Sequence, residues 1–518
     1  MDAKTPKAPK VRNPMIAVAF LGVLGAVQGS MPNISSTALV SASRSLSMTG
    51  GTLALAASIQ TLMIAASVIS TGLLADRLGR RRVLMGALIV GAAGNLIIFI
   101  SPASTVYLIG QAVTGIGLGA VYGAAFAYIR VVADPKKLAG AVGVFSGVIS
   151  LTTLVLTFVG GSLTAIDWRV AFLLIPAFAV ILLVLTPIIL PAQGRMANPK
   201  TDYLGQALLA LGIIGLLYGV SQLGNSFTAP KTLVPLLGGA LVLAGFFLRE
   251  SRNEQRFFPV SLFKSPVFLA AILAGFVYNF GTAVAFLQVT NLWQYVNGRT
   301  TAEVAMWQLP LVAAGIIGAL GTGKLMTAKG LTNRLVLMIG GIVSAIGFIA
   351  LALGHSSTGL LGFLPGLILA GGGVVICAIP FGNLILKEAP AEYYGPVTSS
   401  RTTIGQVAYS LGFALSTVIV DKLTVGGTVA KLTAAGVPPQ QVGTGLDAVT
   451  AYAAKSTAPT TSLGKQALAD AVASYGSSFA TMMVIAAVIS IVAAAAGYVL
   501  LRRNAERAEA HPDPIPAS

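Results

Sequence analysis

Gly72-Leu73-Leu74-Ala75-Asp76-Arg77-Leu78-Gly79-Arg80-Arg81-Arg82 is the stretch on which the reading of this chain turns. It closes one apolar run, 52–75, and is followed by Val83-Leu84-Met85-Gly86, which opens another, 83–101. Four arginines and an aspartate within residues 76–82 do not lie in hydrocarbon, whereas each flanking run is long enough to cross it. The stretch is therefore a polar corner between two membrane helices. Its two glycines let helix ends approach closely, and one acid among several cations suits a latch that can open and close.

The same pattern continues in both directions. Hydrophobic residues make up 55% of the chain and charged residues 9%, against about a quarter charged in ordinary soluble domains, which excludes a water-soluble fold. Spanning segments must satisfy their own backbone hydrogen bonds, so long apolar runs read as helices. Membrane barrels would instead alternate with period two. Six spans are expected at 14–40, 52–75, 83–101, 104–129, 138–164 and 169–190. Two more follow at 203–221 and 230–248, then six at 267–290, 304–326, 333–354, 358–386, 396–420 and 474–501. The expected organisation is a tail 1–13, a bundle 14–190, a two-helix insert 203–248, a bundle 267–501 with an outer loop 422–473 that either holds short amphipathic helices or is a flexible cap, and a tail 502–518.

The formal charge of +17 does not indicate nucleic acid, because the cations are scattered between spans without interleaved aromatics. They report topology instead. With the N-terminus in the cytosol, 24 of the 33 Lys and Arg residues fall in cytosolic segments, which places both termini inside, in a plasma (inner) membrane. Cys377, the single cysteine, lies within an apolar run, so thiols build neither a disulfide framework nor a metal cluster. No metal or other cofactor is expected. Residues 1–13 lack a cleavage-type site and read as a retained tail.

A second copy of the corner appears late in the chain, where Gly323-Lys324-Leu325 precedes Gly330 and Arg334-Leu335-Val336-Leu337-Met338. Each copy joins the second and third helices of a six-helix unit, so the expected plan is six plus two plus six. Carriers built from such repeats bind cargo near the midplane, between the halves.

On the corner motif 72–82 the chain resembles the major facilitator superfamily, in particular its fourteen-helix drug:proton antiporter branch. Asp167-Trp168-Arg169-Val170-Ala171-Phe172, Phe257-Phe258-Pro259-Val260-Ser261-Leu262-Phe263, Gln308-Leu309-Pro310 and Gly395-Pro396-Val397-Thr398-Ser399 agree with that branch. The resemblance implies an all-α integral membrane bundle of fourteen helices and alternating access. It implies Gly72, Asp76, Arg77, Gly79, Arg80 and Arg81 as the conformational latch, hydrophobic or amphipathic small molecules as cargo, and protons as a coupling ion. The chain departs from the branch at three places. An acid is missing from the first span, which reads Gln28-Gly29-Ser30-Met31-Pro32-Asn33. Gln111 stands where helix four usually has an arginine, and the fifth span keeps only Gly160-Gly161 of its motif.

Proton antiport needs a titratable group reachable from both sides. None of the sixteen acids is expected at mid-membrane, Asp76 and Asp421 being at helix ends, and His355 and His511 lie outside the spans. The polar groups left inside are candidates to line a cavity: Gln28, Ser30, Asn33, Gln111, Tyr122, Asn279, Gln288, Trp307, Gln308, Asn383, Arg401 and Gln406, with Tyr278 beside them. Bonding between neighbouring helices is an equal alternative for each. For Arg401, six residues beyond Gly395, snorkelling to the cytosolic surface or helix pairing is preferred to a fixed charge in the cavity. Gly115-Ile116-Gly117-Leu118-Gly119-Ala120 fits a dinucleotide fingerprint only by letters; close helix packing is the better reading.

The functional expectation is a monomeric secondary transporter, in contact with membrane lipids, exporting such molecules in multidrug fashion. An uncoupled facilitator, a lipid carrier, or a receptor of transporter fold are the alternatives. Catalysis is not expected, for want of a clustered acid, histidine or thiol set.

Overall fold

The computed structural model describes residues 13–48, 50–192, 202–223, 228–253, 258–455 and 458–510. Sequence features at 1–12, and at Phe257 and His511, lie outside them. The first half of the fold comprises α1 (Pro14–Ser45), α2 (Gly50–Leu78), α3 (Arg80–Phe99), α4 (Ser104–Val132), α5 (Leu138–Ile166) and α6 (Leu174–Ile189). Between the halves come α7 (Tyr203–Gln222) and α8 (Pro230–Arg252). The second half comprises α9 (Pro266–Asn291), α10 (Thr301–Trp307), α11 (Leu309–Lys329), α12 (Asn333–Leu353), α13 (Leu360–Glu388), α14 (Tyr394–Ala434), α15 (Pro439–Lys455) and α16 (Ser462–Ala510). Fourteen of these helices are long and apolar enough to cross a membrane, the short α10 and α15 not among them. The fold is the fourteen-helix all-α bundle that the sequence leads one to expect.

Local chemistry sets the breaks. Gly79 separates α2 from α3 with φ of 93°, and Gly330 ends α11 with φ of 65°. Side chains other than glycine avoid that region, and the two glycines hold equivalent places in the repeated corners. Ser265 caps α9 ahead of Pro266, and Asp202 caps α7.

Two expectations are corrected, and one left open is decided. The span expected at 304–326 starts at Leu309, because Thr300 and Glu303 form a capping box that nucleates the separate helix α10 and Pro310 begins the next one. Trp307 therefore ends α10, and Gln308 stands at the junction. Of the two readings of 422–473 the flexible cap does not hold and the helical one does: α14 runs on to Ala434, α15 follows, and α16 begins at Ser462. Gly445 of α15 packs against Ala467, Leu432 and Leu463, so apolar contacts between three helices stabilise what composition suggests is a linker. Asp421, accordingly, lies inside α14 rather than at a helix end.

The glycine-rich run of α4 is a packing face. A Cβ on Gly117 would stand 2.3 Å from the backbone nitrogen of Gly91 in α3, and one on Gly115 would stand 2.5 Å from the carbonyl oxygen of Gln60 in α2. Apolar packing also shows how the halves are joined. One core cluster contains residues of the first half together with Ala319, Met326, Phe381, Leu384, Ile385, Tyr394 and Val397 of the second. The other buries Phe280, Val284, Trp293, Phe348, Phe363, Phe479 and Met482, and all its buried members belong to the second half. The second-half members of the shared core lie toward the end of the bundle carrying the arginine corner. Helix α7 lies along α2 and α14, one from each half, and α8 packs outside it on α7.

Candidate functional site

The seam between the halves is built from helix ends whose backbones nearly touch. Gly72 in α2 faces Gly395 at the start of α14: a Cβ on Gly395 would lie 2.2 Å from the Gly72 carbonyl oxygen and 2.4 Å from Asp76 Oδ2. That proximity lets the buried Asp76 carboxylate accept the Gly395 N–H at 2.6 Å. Its other oxygen accepts from Arg80 Nη2 at 2.8 Å. The guanidinium of Arg80 also lies over the Tyr394 ring, 4.7 Å from its centre, and Arg130 covers the same ring at 5.2 Å. Arg130 Nη1 donates to the carbonyl of Leu386 at 3.3 Å. One carboxylate and two guanidiniums of the first half thus hold the end of α13 and the start of α14.

The opposite side of the seam is its pseudo-symmetric counterpart. Gly323 in the second copy of the corner packs against Gly143 and Gly140 of α5, and a Cβ on Gly143 would stand 2.8 Å from the Ala319 carbonyl oxygen. Thr327 occupies the place of Asp76 and turns its hydroxyl back to the Gly323 carbonyl at 3.0 Å. The second corner therefore packs without an ionic latch.

Of the latch residues expected from the sequence, Gly72, Asp76 and Arg80 meet at the seam. Gly79 forms the bend, and Arg77 is half-buried beside it. Arg81 Nη1 donates to the Leu190 carbonyl at 3.3 Å, tying the corner to the end of α6 within its own half.

One helical turn and a half deeper, α14 makes two further bonds across the seam. Thr403 donates to the Ala65 carbonyl of α2 at 3.0 Å. Arg401 is 5% exposed and donates through Nη1 to the Tyr122 hydroxyl of α4. Its guanidinium lies 4.5 Å from the centre of the Phe126 ring and 4.9 Å from that of Phe381. Arg401 does not snorkel. The preferred reading is corrected to this extent: the side chain turns inward because rings of α4 and α13 offer it π faces, each attractive to a guanidinium.

The other expected cavity residues divide into separate groups. Gln111 is wholly buried within the first half, donating to Tyr107 Oη at 2.8 Å and to Ser35 Oγ at 3.2 Å. Ser30 bonds back to its own helix at Val27; Gln28 is buried, and Asn33, exposed, donates to Thr157 of α5 at 3.4 Å. Gln288 joins three helices of the second half, donating to Ser416 at 3.0 Å and accepting from Tyr475 at 3.3 Å. Trp307 and Gln308 lie toward the end away from the latch, where Trp307 stacks edgewise on Trp293 at 5.1 Å and Gln308 donates to Thr290 at 2.6 Å. Asn383 donates to Asn333 at 2.9 Å.

Tyr122 and Arg401 are thus joined directly. Asn279 fills the space beside Gly405, where a Cβ would stand 3.1 Å from Asn279 Oδ1. Gln406 and Tyr278 are half-buried on the same two helices. Phe126, Phe381, Arg130 and Thr403 do not stand out in the sequence, and nothing in their local pattern separates them from ordinary helix residues. Among the described residues no group of three or more His, Cys, Asp or Glu side chains is placed to hold a metal ion.

Comparison with known proteins places this geometry. Residues 18–413 match the family model described as Major Facilitator Superfamily. An uncharacterized MFS-type transporter of Mycobacterium tuberculosis is 29% identical over 350 residues, 67% of this chain; the match spans 51% of that relative, about half its length. The tetracenomycin C resistance and export protein of Streptomyces glaucescens is 26% identical over 468 residues, covering 88% of this chain and 86% of that one. Among solved structures the human organic anion transporter superposes with a TM-score of 0.58 at 13% identity, covering 92% of this chain and 99% of that one. At such identity the likeness is one of fold.

Proposed function

The chain belongs to the Major Facilitator Superfamily, and on that premise we propose that it is a secondary carrier exporting hydrophobic or amphipathic small molecules by alternating access. The observation that carries the proposal is the lopsided joining of the halves. They share an apolar core and a hydrogen-bonded latch at the arginine-corner end, while at the other end the second half keeps a separate core of its own and the first half's apolar residues are not joined to it. A seam made of backbone contacts, ring faces and one carboxylate has two discrete arrangements, closed and parted, as a rocking carrier requires.

The basic end faces the cytosol under the positive-inside rule, which puts both termini there. The membrane is the plasma membrane of a bacterial-type cell, where the exposed apolar faces meet lipid. The proposed carrier is a monomer, as the resemblance implies. It performs no catalysis. Export by the named Streptomyces relative supports the direction.

Coupling is the weaker part of the family pattern. Asp76 sits near the end of α2 inside the latch, and Asp421 near the far end of the membrane part of α14. This favours uncoupled or potential-driven flux over proton antiport. Reconstituted protein should move an apolar fluorescent cargo at the same rate with and without an imposed pH gradient. A rate that collapses when the gradient is removed supports antiport instead, and no flux at all defeats the carrier reading.

A further inference from the structure

Arg401 presents an unsolved balance of charge. Its guanidinium is permanently cationic, 5% exposed, and absent from the described ion pairs. The closed seam offers it one hydroxyl, from Tyr122, and the faces of Phe126 and Phe381. Its Nε is buried with no hydrogen-bond partner. Burying a cation without a counter-charge is costly, and residues that bear such a charge within a membrane face a pathway or a ligand.

We propose that Arg401 is the recognition residue for an anionic group on the cargo, so that the carried compounds are amphipathic monoanions with a carboxylate or sulfonate on an apolar body. This rests on the carrier reading above. The planar fork of a guanidinium matches such a group through two parallel N–H donors, and release of the Tyr122 hydroxyl makes the Nη1 and Nη2 pair available to offer them, with the unpartnered Nε beside it. The apolar body has the rings of Tyr122, Phe126 and Phe381 beside it.

The position supplies the cycle. Tyr122 and Phe126 belong to the first half, and Arg401 and Phe381 to the second, so parting the seam at the basic end strips the guanidinium of half its surroundings. A cargo anion then takes the place of the Tyr122 hydroxyl. When the anion leaves toward the other side, Tyr122 and the rings close again over the empty site. The same charge answers the energetic question left by the missing membrane acid. A monoanion leaving a compartment held negative is driven out by the potential itself, to an accumulation ratio of about fifty-fold per 100 mV, without a coupled proton.

The test uses two probes with one apolar body: dansylglycine, a carboxylate, and dansylglycinamide, its neutral amide. Binding to the purified full-length protein is read from dansyl emission, and flux is read in proteoliposomes with the potential set by potassium and valinomycin. The expected result is that the carboxylate binds at least tenfold tighter than the amide and that its flux follows the sign of the potential. Arg401→Met should abolish the preference, and Arg401→Lys should retain part of it. Tyr122→Phe keeps the ring and frees Nη1, so it should tighten carboxylate binding several-fold. Equal binding of the two probes, or an unchanged preference in Arg401→Met, overturns the proposal while leaving the carrier reading intact. Arg401-dependent binding without flux upholds the site and defeats the carrier reading. Should Arg401→Met fail to assemble, Tyr122→Phe decides, and unaltered carboxylate affinity in that variant overturns the proposal.

Discussion

Replacing Gly395 by alanine isolates the seam from the rest of the fold. Gly395 lies in the first turn of α14 directly before Pro396, where alanine's better helix propensity is offset by crowding of its Cβ against the proline ring; that local cost is common to both arrangements of a seam that parts as rigid halves. The remaining cost falls on the closed conformation. The new methyl would stand 2.2 Å from the Gly72 carbonyl oxygen and 2.4 Å from Asp76 Oδ2, and neither a helix backbone nor a carboxylate already held by Arg80 can yield by the 1 Å or so required. Overpacking of this kind costs about 1–3 kcal/mol. Displacing Asp76 also loses the Gly395 N–H bond, a charge-assisted bond of 2.6 Å worth about 1.5–3 kcal/mol. Together the closed form rises by about 2.5–6 kcal/mol, a shift of about two to four powers of ten toward the parted form. Spin labels on the exposed Leu78 and on Lys387, one on each half at the latch end, should pass from a short to a longer distance population in pulsed electron resonance. A folded Gly395→Ala protein whose distances match the wild type would refute the reasoning.

Three smaller perturbations follow from the same seam and from the insert. Asp76→Asn keeps the shape but loses the ion pair with Arg80 and the charge that strengthens the Gly395 bond, so it should move the same label distances in the same direction by about tenfold in population. Gly143→Ala puts a Cβ 2.8 Å from the Ala319 carbonyl oxygen with no ionic bond to lose, so overpacking alone, about 1–3 kcal/mol, should give a smaller shift than Gly395→Ala in that assay. Asp202 at the start of α7 is partly desolvated, but hydrogen bonds from Arg249, the Gly205 N–H and Asn253, with the charge of Arg249, outweigh this and hold its carboxyl below the ordinary value. A depressed carboxylate stabilises the fold above its unfolded value, near 4, and that stabilisation fades as pH falls through the lower folded value. The melting temperature should therefore drop between pH 4 and 3, and Asp202→Asn should melt lower at pH 7 with that part of the drop removed.

How much of this could be read in advance depended on whether one segment or several had to be known. Spans are local: about twenty apolar residues between polar joints suffice, and the corner at Gly72 to Arg82 with its partial copy at Gly323 to Arg334 carried the doubled architecture. Asp76 stood out because its charge is improbable beside a membrane helix, although its bond to Gly395 joins residues 319 positions apart. Arg401 shows the opposite case. Six residues from a helix start, an arginine can reach the surface, and only the approach of Phe126 from α4 and Phe381 from α13 turns it inward. Gln111 likewise looks like a cavity residue until Tyr107 and Ser35 are seen to satisfy it. The segment 422–473 stayed open between short helices and a flexible cap, because its glycine, threonine and alanine content does not reveal the contacts by which α14, α15 and α16 support one another.

The central claim is that the halves rock, so the two ends must move oppositely. Label pairs at Leu78 and Lys387 for the latch end, and at the exposed Ile166 and Leu361 for the other end of each half, should be measured in one preparation of Gly395→Ala and in the parent. The account predicts that as the first distance lengthens the second shortens. Both distances lengthening together, or a parted latch end with the far end unchanged, would contradict it.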